Sequence, residues 1–188
     1  MSAATDLLHG PAPRVAPGLL GWCLSANGVA GVIAETEAYH GEDDLACHAS
    51  KGRTARTATL YAAPGTLYVY LCYGMHHMLN LVTGDEGIPS AVLIRGLVID
   101  GVDPRRSNGP GKVAKLLALD RTHDGQTLGT TVVLLPPNGP RRAIRRGPRF
   151  GVDYAGPHWS QVPWRWWLAD FPVVKPVLKP PERPPTPR

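Results

Sequence analysis

Hydrophobic and polar positions alternate with a period of two along several segments of the chain, a pattern typical of β-strands. The first clear example is residues 29–39 (VAGVIAETEAY), in which this period places Ile33, Glu35, Glu37 and Tyr39 on one face. Stretches rich in β-branched and aromatic residues predict further strands. They cover residues 66–72, 76–83, 90–100, 130–135 and 164–169.

A helical period is clear in one segment, residues 112–120, where Val113, Leu116 and Leu117 form an apolar stripe. Residues 40–57 are polar and predict a loop followed by at most a short helix. Because strands outnumber helices, the fold class predicted is α+β: a single domain with a curved, mainly antiparallel β-sheet and a few helices. The strands at 66–72 and 76–83 are expected to form an antiparallel hairpin.

The length of 188 residues fits one domain, which we expect to span residues 1–173. Residues 174–188 are rich in proline and basic side chains, and predict a disordered or polyproline-like tail. The composition of 21 glycines and 20 prolines argues against a long-helix bundle. Three widely spaced cysteines, with no CxxC pair, argue against a disulfide framework or a zinc ribbon and favour a reducing cytosol.

No membrane partner is expected, because the longest apolar run, near residues 91–98, is short and is interrupted by Arg95. The first ten residues also lack the basic and apolar regions of a secretory signal. These two observations agree with a cytoplasmic protein.

The formal net charge of +5 is concentrated near the C-terminus. Residues 1–136 contain 10 Lys or Arg and 12 Asp or Glu, whereas residues 137–188 contain 10 and 3. Such a basic block favours a polyanion, most often nucleic acid, although a solvated loop that maintains solubility is an equal alternative. The block is led by Arg141, Arg142, Arg145, Arg146 and Arg149.

Glu35 and Glu37 occupy a predicted strand beside apolar residues, where a carboxylate is costly unless it is paired or functional. A partly desolvated glutamate can activate a water as general base, and two solvated glutamates at a strand end are the alternative. Arg95, within AVLIRGLV, needs an anion, which can be one of these carboxylates or a phosphate. The pattern alone does not choose between the two glutamates.

Polar side chains of the predicted hairpin and of the helix start are candidates for structural or functional roles. Tyr68 fits a core, whereas Tyr73, on a tight turn, can act as a wedge between stacked bases. Asn80 is either a structural hydrogen bonder or a group that lines a pocket. The segment Asn108-Gly-Pro-Gly-Lys112 is either a phosphate contact or a plain helix start.

Several segments together, over about residues 15–175, resemble the alkyladenine (3-methyladenine) DNA glycosylase family. The matching motifs occur in the family order: IAETEAY, GEDDLACHASKGRTART, PGTLYVYLCYGMHHMLNLVTG, AVLIRG, NGPGKVAKLLAL and RFGVDYAG. The resemblance implies a monofunctional base-excision-repair enzyme that uses no cofactor and no metal. Such an enzyme flips a damaged purine out of double-stranded DNA and hydrolyses its N-glycosidic bond, leaving an abasic site. The implied substrates are 3-methyladenine, 7-methylguanine, hypoxanthine and ethenoadenine.

The resemblance also implies roles for individual residues. Glu37 is the general base that deprotonates a water, and Arg95 with the main chain near Phe150 holds that water. Tyr73 fills the base stack that the flipped nucleotide leaves. The implied base pocket is lined by Tyr39, Ala46, His48, Tyr70, Asn80, Leu93 and Phe150. The residues implied to approach the DNA backbone and wedge region are Arg53, Thr54, Arg56, Met75 and Lys112.

A monomer is expected, associated with the nucleoid if the source is bacterial. The sequence departs from the family pattern at residues 40–42, at His76-His77 and at residues 156–167, which leaves lesion range and grip on DNA open. Two other functions remain as alternatives. One is a non-catalytic nucleic-acid-binding module, and the other is a metal-dependent hydrolase that uses His40, His48 and the adjacent acidic loop.

Overall fold

Antiparallel β-strands dominate the computed structural model, which describes residues 3–174. In that part of the chain eight strands form one sheet. They are β1 (Cys23–Ala26), β2 (Val29–His40), β3 (Leu67–Cys72), β4 (His76–Val82), β5 (Ser90–Val98), β6 (Val132–Leu135), β7 (Ile144–Gly147) and β8 (Arg165–Leu168). The order is β3-β4-β5-β2-β1-β6, with β8 also paired to β2 and β7 paired to β8. The predicted α+β class and the β3–β4 hairpin are confirmed.

The helices of the described residues are short: α1 (Ala3–Leu8), α2 (Ala12–Gly18), α3 (Pro110–Leu116) and α4 (Gly156–Trp159). The helix predicted at 112–120 is α3, which begins earlier because Pro110 fits the first helical turn. It ends earlier as well, and Ala118 just beyond it has a φ of 50°. Within residues 3–174, no helix has the length and apolar character needed to cross a bilayer. The predicted tail at 174–188 lies, apart from Val174, outside the described residues.

Two register shifts interrupt the central strand β2, one between Ile33 and Glu35 and one between Glu35 and Thr36. A β-bulge of this kind moves the alternation of side chains by one residue. Ile33 therefore packs in the main hydrophobic core, and the Thr36 hydroxyl donates to the Ala16 carbonyl of α2 at 3.0 Å. The sequence pattern placed Ile33 on the same face as Glu35 and Glu37, and that prediction is wrong for Ile33.

The two faces of the sheet pack against different parts of the molecule. One face packs against α2 and α3 and forms the main hydrophobic core, with Val15, Leu81, Ile94 and Val113 fully or almost fully buried. The other face lies beneath the loop that follows β2. There a smaller cluster of buried side chains leaves Tyr39 and Tyr70 only partly covered. The second face is the part of the fold that holds the candidate site.

Candidate active site

A row of paired residues crosses four adjacent strands on this second face. Tyr68 of β3 pairs with Asn80 of β4, Asn80 pairs with Leu93 of β5, and Leu93 pairs with Glu37 of β2. Residues directly opposite each other in antiparallel strands project to the same side of the sheet. The register thus brings together Glu37, Asn80 and Leu93, which the resemblance assigned to one site, and adds Tyr68.

An aromatic pocket opens beside this row, between the strands and the loop that contains residues 44–48. Five of its lining residues were assigned to the base pocket by the resemblance, namely Tyr39, Ala46, His48, Tyr70 and Asn80. Leu93 and Phe150, also assigned to it, do not line the cavity, but both lie against Glu37. The remaining lining residues are Cys47, Leu60, Tyr68, Ala91 and Tyr154.

The walls of the aromatic pocket are uncharged rings near neutral pH. The ring centroids of His48 and Tyr70 are 4.6 Å apart, and those of Tyr68 and Tyr70 are 5.3 Å apart. The Nδ1 atom of His48 lies 2.9 Å from the Tyr68 hydroxyl. Burial lowers the pKa of His48, with a further contribution from Arg56, and burial raises the pKa of both tyrosines. The imidazole and the phenols are therefore neutral at pH 7.

Five lining residues escaped the sequence-based assignment to the base pocket, among them Tyr154 and Cys47. The Tyr154 hydroxyl donates to the Ala46 carbonyl at 2.9 Å, which ties the segment after β7 to the pocket loop. Cys47 is buried, and burial raises the pKa of its thiol to about 11, so it adds an uncharged surface. Tyr154 belongs to RFGVDYAG, one of the family-like motifs, and that membership is the signal that could have identified it.

Glu37 is fully buried next to the aromatic pocket and accepts hydrogen bonds from three groups. The backbone N–H of Phe150 donates to Oε1 at 2.7 Å, and the Tyr39 hydroxyl donates to Oε2 at 2.9 Å. Arg95 Nη1 donates to Oε2 at 3.4 Å. Burial, followed by the charge of Glu37, raises the pKa of Tyr39 well above its usual value, so the phenol remains a donor. These contacts fix the orientation of the carboxylate.

Glu35 has a different environment, although it is also buried. Its Oε1 accepts from Arg95 Nε at 3.0 Å and from Arg165 Nε at 2.7 Å. Arg165 in turn donates to the Val174 carbonyl at 3.1 Å. Glu35 thus accepts from two guanidinium groups, whereas Glu37 accepts from Tyr39, which lines the aromatic pocket. The structure distinguishes two glutamates that the sequence pattern left equivalent.

A second buried ion pair joins Asp44 to Arg149. Arg149 Nη1 donates to Asp44 Oδ2 at 2.6 Å, and Nη2 donates to Oδ1 at 2.8 Å. The sequence pattern groups Arg149 with a basic block that contacts either a polyanion or solvent, and this prediction is wrong for Arg149, because the residue is only 4% exposed. Among the described residues, the buried charges are therefore three carboxylates and three guanidinium groups. They are Glu35, Glu37, Asp44, Arg95, Arg149 and Arg165.

His40, His48 and Glu42, in or next to the pocket loop, each lie within hydrogen-bond distance of a hydroxyl group. His40 Nδ1 lies 3.1 Å from the Ser90 hydroxyl, and Glu42 accepts from the Tyr61 hydroxyl at 2.7 Å. Residues 3–174 contain no cluster of three or more His, Cys, Asp or Glu side chains suited to a metal ion. The hypothesis of a metal-dependent hydrolase at His40 and His48 thus lacks a ligand set in this part of the chain.

The tip of the β3–β4 hairpin presents a tyrosine to solvent. Tyr73 is 89% exposed and has a φ of 50°, and Gly74 follows with a φ of 68°. A backbone hydrogen bond from Met75 N to Cys72 O closes the turn at 3.1 Å, and Met75 is also exposed. A bulky aromatic side chain in this strained, solvated position contributes nothing to the core. Its position is compatible with the predicted role as a wedge.

The other residues predicted to approach DNA are on the surface. Arg53, Thr54 and Arg56 are exposed in the segment after the pocket loop, where the Arg53 guanidinium lies 5.5 Å from the centre of the Tyr61 ring. Lys112 Nζ donates to Arg105 O at 2.7 Å and to Asn108 Oδ1 at 2.9 Å. These bonds stabilise the start of α3, which agrees with the interpretation of residues 108–112 as a structural helix start.

The remaining arginines of the basic block lie on or next to an edge of the sheet. Arg145 and Arg146 are exposed on β7, and Arg142 forms an ion pair with Asp170. On one edge of β2, β8 pairs with β2 and β7 pairs with β8. On the other edge, β5 pairs with β2 and the β3–β4 hairpin pairs with β5 through β4. The block and Tyr73 therefore lie on opposite sides of the central strand.

The fold and the candidate site together define an enzyme-like arrangement: a buried, oriented carboxylate beside a pocket lined by aromatic rings. The sequence model of the methylpurine-DNA glycosylase (MPG) family matches residues 6–172, and the chain belongs to this family. The protein is accordingly a DNA glycosylase, a hydrolase that acts on N-glycosyl bonds, and a protein of DNA repair. The family resemblance stated from the motifs is confirmed.

Relatives from diverse organisms support the same assignment. A protein of Myxococcus xanthus is 49% identical over 144 residues, which cover 74% of each chain. A protein of Methanocella arvoryzae is 42% identical over 187 residues, which cover 90% of this chain and 93% of the relative. A protein of Frankia casuarinae is 40% identical over 204 residues, which cover 95% and 94%. All three bear the name "Putative 3-methyladenine DNA glycosylase".

Proposed function

We propose that this enzyme excises alkylated and deaminated purines from double-stranded DNA, with Glu37 as the general base. The observation that carries the proposal is the contact between Glu37 and Tyr39, because Tyr39 lines the aromatic pocket while its hydroxyl donates to the carboxylate. A base bound in the pocket would thus have its sugar near Glu37. The proposed substrates are 3-methyladenine, 7-methylguanine, hypoxanthine and ethenoadenine.

Base selection would depend on stacking and on the pocket edge. The flipped purine lies between Tyr39 on one side and Tyr70 with His48 on the other. An electron-poor, cationic alkylpurine stacks on aromatic rings better than a neutral base does. The backbone near Ala46 and His48 hydrogen-bonds the purine edge. Asn80 excludes a normal guanine, and its Nδ2 is held by the Tyr68 carbonyl at 3.0 Å.

The chemistry is hydrolysis at the sugar C1′. The oxygen of a water attacks C1′, Glu37 accepts the proton of that water, and the N-glycosidic bond breaks with its electron pair leaving on the base. The anion of Glu37 also stabilises the oxocarbenium-like transition state. Arg95 and the main chain near Phe150, which contact Glu37, help to hold the water. A cationic lesion leaves as a neutral base, whereas a neutral lesion leaves as an anion that takes up a proton from solvent, so the products are a free purine and an abasic site.

A monofunctional reaction is supported by the residue types that line the aromatic pocket, since the lining residues within 3–174 include no lysine. A Schiff-base mechanism needs an amine nucleophile at the sugar. Glu35 is a weaker candidate for the base, because two guanidinium groups share its Oε1, whereas Glu37 accepts from Tyr39 of the pocket wall. The reaction as proposed uses neither a cofactor nor a metal.

Access to the lesion requires base flipping, which costs a few kcal/mol of unstacking and costs least at a damaged pair. We propose that Tyr73 enters the duplex and fills the vacated stack, with Met75 beside it. Arg53, Thr54, Arg56 and Lys112 approach the DNA backbone around the lesion. The enzyme acts as a cytoplasmic monomer, associated with the nucleoid if its source is bacterial.

The test is an excision assay on duplexes that each contain one defined lesion. Release of free base is measured by chromatography, and strand breakage after alkali reports the abasic site. We expect release from at least one alkylated or deaminated purine, unchanged by a chelator, with no strand breakage before alkali. Binding without any release would instead favour a non-catalytic module and would contradict the proposal. Loss of activity with the chelator would contradict its metal-free chemistry.

A further inference from the structure

We propose that the Asp44–Arg149 ion pair determines specificity by keeping the wall of the aromatic pocket electrically neutral, so that a cationic purine can stack on Tyr39. The inference rests on the proposed function. It assigns a role to a buried pair that does not touch the reacting groups of the chemistry proposed above. Both side chains are almost fully buried, and neither lines the aromatic pocket itself.

Arg149 lies directly behind the stacking surface. Its guanidinium carbon is 4.9 Å from the centre of the Tyr39 ring and 5.2 Å from the centre of the Trp164 ring. Nη1 also donates to the Ala38 carbonyl at 3.0 Å, next to Tyr39 in the chain. Since the guanidinium covers one face of Tyr39, a base can stack only on the opposite face. A positive charge thus lies one ring away from any bound base.

Asp44 cancels that charge and also shapes the pocket. Its two oxygens accept hydrogen bonds from Nη1 and Nη2 of Arg149. This is the bidentate geometry in which an arginine–carboxylate pair is strongest. Oδ1 also accepts from the backbone N–H of Ala46 at 3.0 Å, and Oδ2 accepts from that of His40 at 3.3 Å. Asp44 therefore fixes the loop that forms the pocket edge as well as the guanidinium beneath Tyr39.

The electrostatic consequence depends on the charge of the lesion. Alkylation at N3 of adenine or at N7 of guanine leaves the base in DNA cationic, whereas hypoxanthine is neutral. In a buried site, charges interact much more strongly than in water. An unpaired Arg149 would repel a cationic base across the Tyr39 ring and would affect a neutral base little. With Asp44 in place the pair is neutral, and stacking strength alone decides between the lesions.

The experiment compares single-turnover excision rates for duplexes that contain 7-methylguanine, which is cationic, or hypoxanthine. Asp44→Asn leaves the arginine uncompensated, and we expect the ratio of the 7-methylguanine rate to the hypoxanthine rate to fall about tenfold or more. Arg149→Met removes the cation, and the ratio should rise above that of the wild type. The double variant removes both charges and should restore the wild-type ratio. Asp120→Asn, at an exposed carboxylate, is the matched control.

An unchanged ratio in Asp44→Asn overturns the inference, because removal of the carboxylate charge then has no effect that depends on the charge of the lesion. A double variant whose ratio stays low overturns it as well. Should Asp44→Asn lack a cooperative melt by circular dichroism, Arg149→Met decides: a raised ratio supports the inference, and an unchanged or lowered ratio overturns it. A wild type that releases neither base contradicts the proposed function itself, which separates the two failures.

Discussion

The backbone N–H of Phe150 donates a hydrogen bond of 2.7 Å to Oε1 of Glu37, across 113 positions of the sequence. The preceding residue, Arg149, is held by the bidentate pair with Asp44, so the position of this N–H is fixed by a buried ion pair. Backbone donors directed at a carboxylate orient it at no cost in side-chain entropy. The segment that follows β7 therefore completes a site whose carboxylate belongs to β2.

Tyr39→Phe tests the second donor to Glu37 while it preserves the stacking ring. A hydrogen bond to a charged group contributes about 1.5–3 kcal/mol, so its loss should lower the single-turnover excision rate by about 10- to 100-fold. Binding of a lesion-containing duplex should change little. Tyr61→Phe is the matched control, because its hydroxyl bonds to the exposed Glu42 outside the aromatic pocket. A Tyr39→Phe rate equal to that of the wild type would show that this donor is dispensable.

Tyr73→Ala tests the proposed wedge. Because Tyr73 is 89% exposed, the free energy of unfolding should change by no more than about 0.5 kcal/mol. Excision from a fully paired duplex should slow markedly, since nothing then fills the vacated stack. Excision of the same lesion in an unpaired bubble, which needs less unstacking, should slow much less. Equal slowing on both substrates would argue against a wedge.

The basic block can be tested through the salt dependence of DNA binding. Replacing Arg141, Arg142, Arg145 and Arg146 by Gln should weaken binding and flatten the plot of log affinity against log salt concentration. Each lost phosphate contact removes about 0.9 from that slope. Arg149 is left intact because it is buried. Single-turnover excision at saturating enzyme should be unchanged.

The matched control for the basic block is Arg14→Gln with Arg121→Gln, at exposed positions elsewhere on the surface. These two changes remove positive charge without touching β7. A slope that is the same in the fourfold variant and in the wild type would assign the block to solubility instead of to DNA contact.

A pH dependence of stability follows from His48, whose pKa is lowered by burial and then by Arg56. Between the folded and unfolded pKa values the unfolded chain binds more protons, so the contribution of His48 is complete above about pH 6.5 and is lost as the pH falls below it. Chemical denaturation should show a lower free energy of unfolding at pH 5.5 than at pH 7.5. His48→Gln should reduce this difference, and an undiminished difference would exclude His48 as its source.

Local sequence patterns predicted much of this molecule. The β-hairpin, the central strand and the short helix α3 follow from periodicity and turn residues, which act over a few neighbours. The motifs also assigned Tyr39, Ala46, His48, Tyr70 and Asn80 to a common site, and the structure brings them together in one pocket. Such short-range information is sufficient to predict a strand and the face on which its side chains lie, as long as the strand is regular.

The features that escaped prediction depend on long-range contacts. The wrong face for Ile33 results from the register shifts in β2, which the pairing with β5 imposes. Arg149 was grouped with its charged neighbours, because nothing near it in sequence indicates the carboxylate of Asp44, 105 positions away. Tyr154 reaches Ala46 over a similar distance. The alternation of polar and apolar residues along one strand carries no information about partners so distant in the sequence.

The most direct test of the account is the single-turnover excision of hypoxanthine from duplex DNA by Glu37→Gln. The amide preserves the shape of the side chain but cannot accept the proton of the water. General-base catalysis contributes about 10²–10⁴-fold. We therefore expect the rate to fall at least about 100-fold, with duplex binding largely retained and with Glu42→Gln as an active control. Full excision activity in Glu37→Gln would contradict the assignment of Glu37 as the general base.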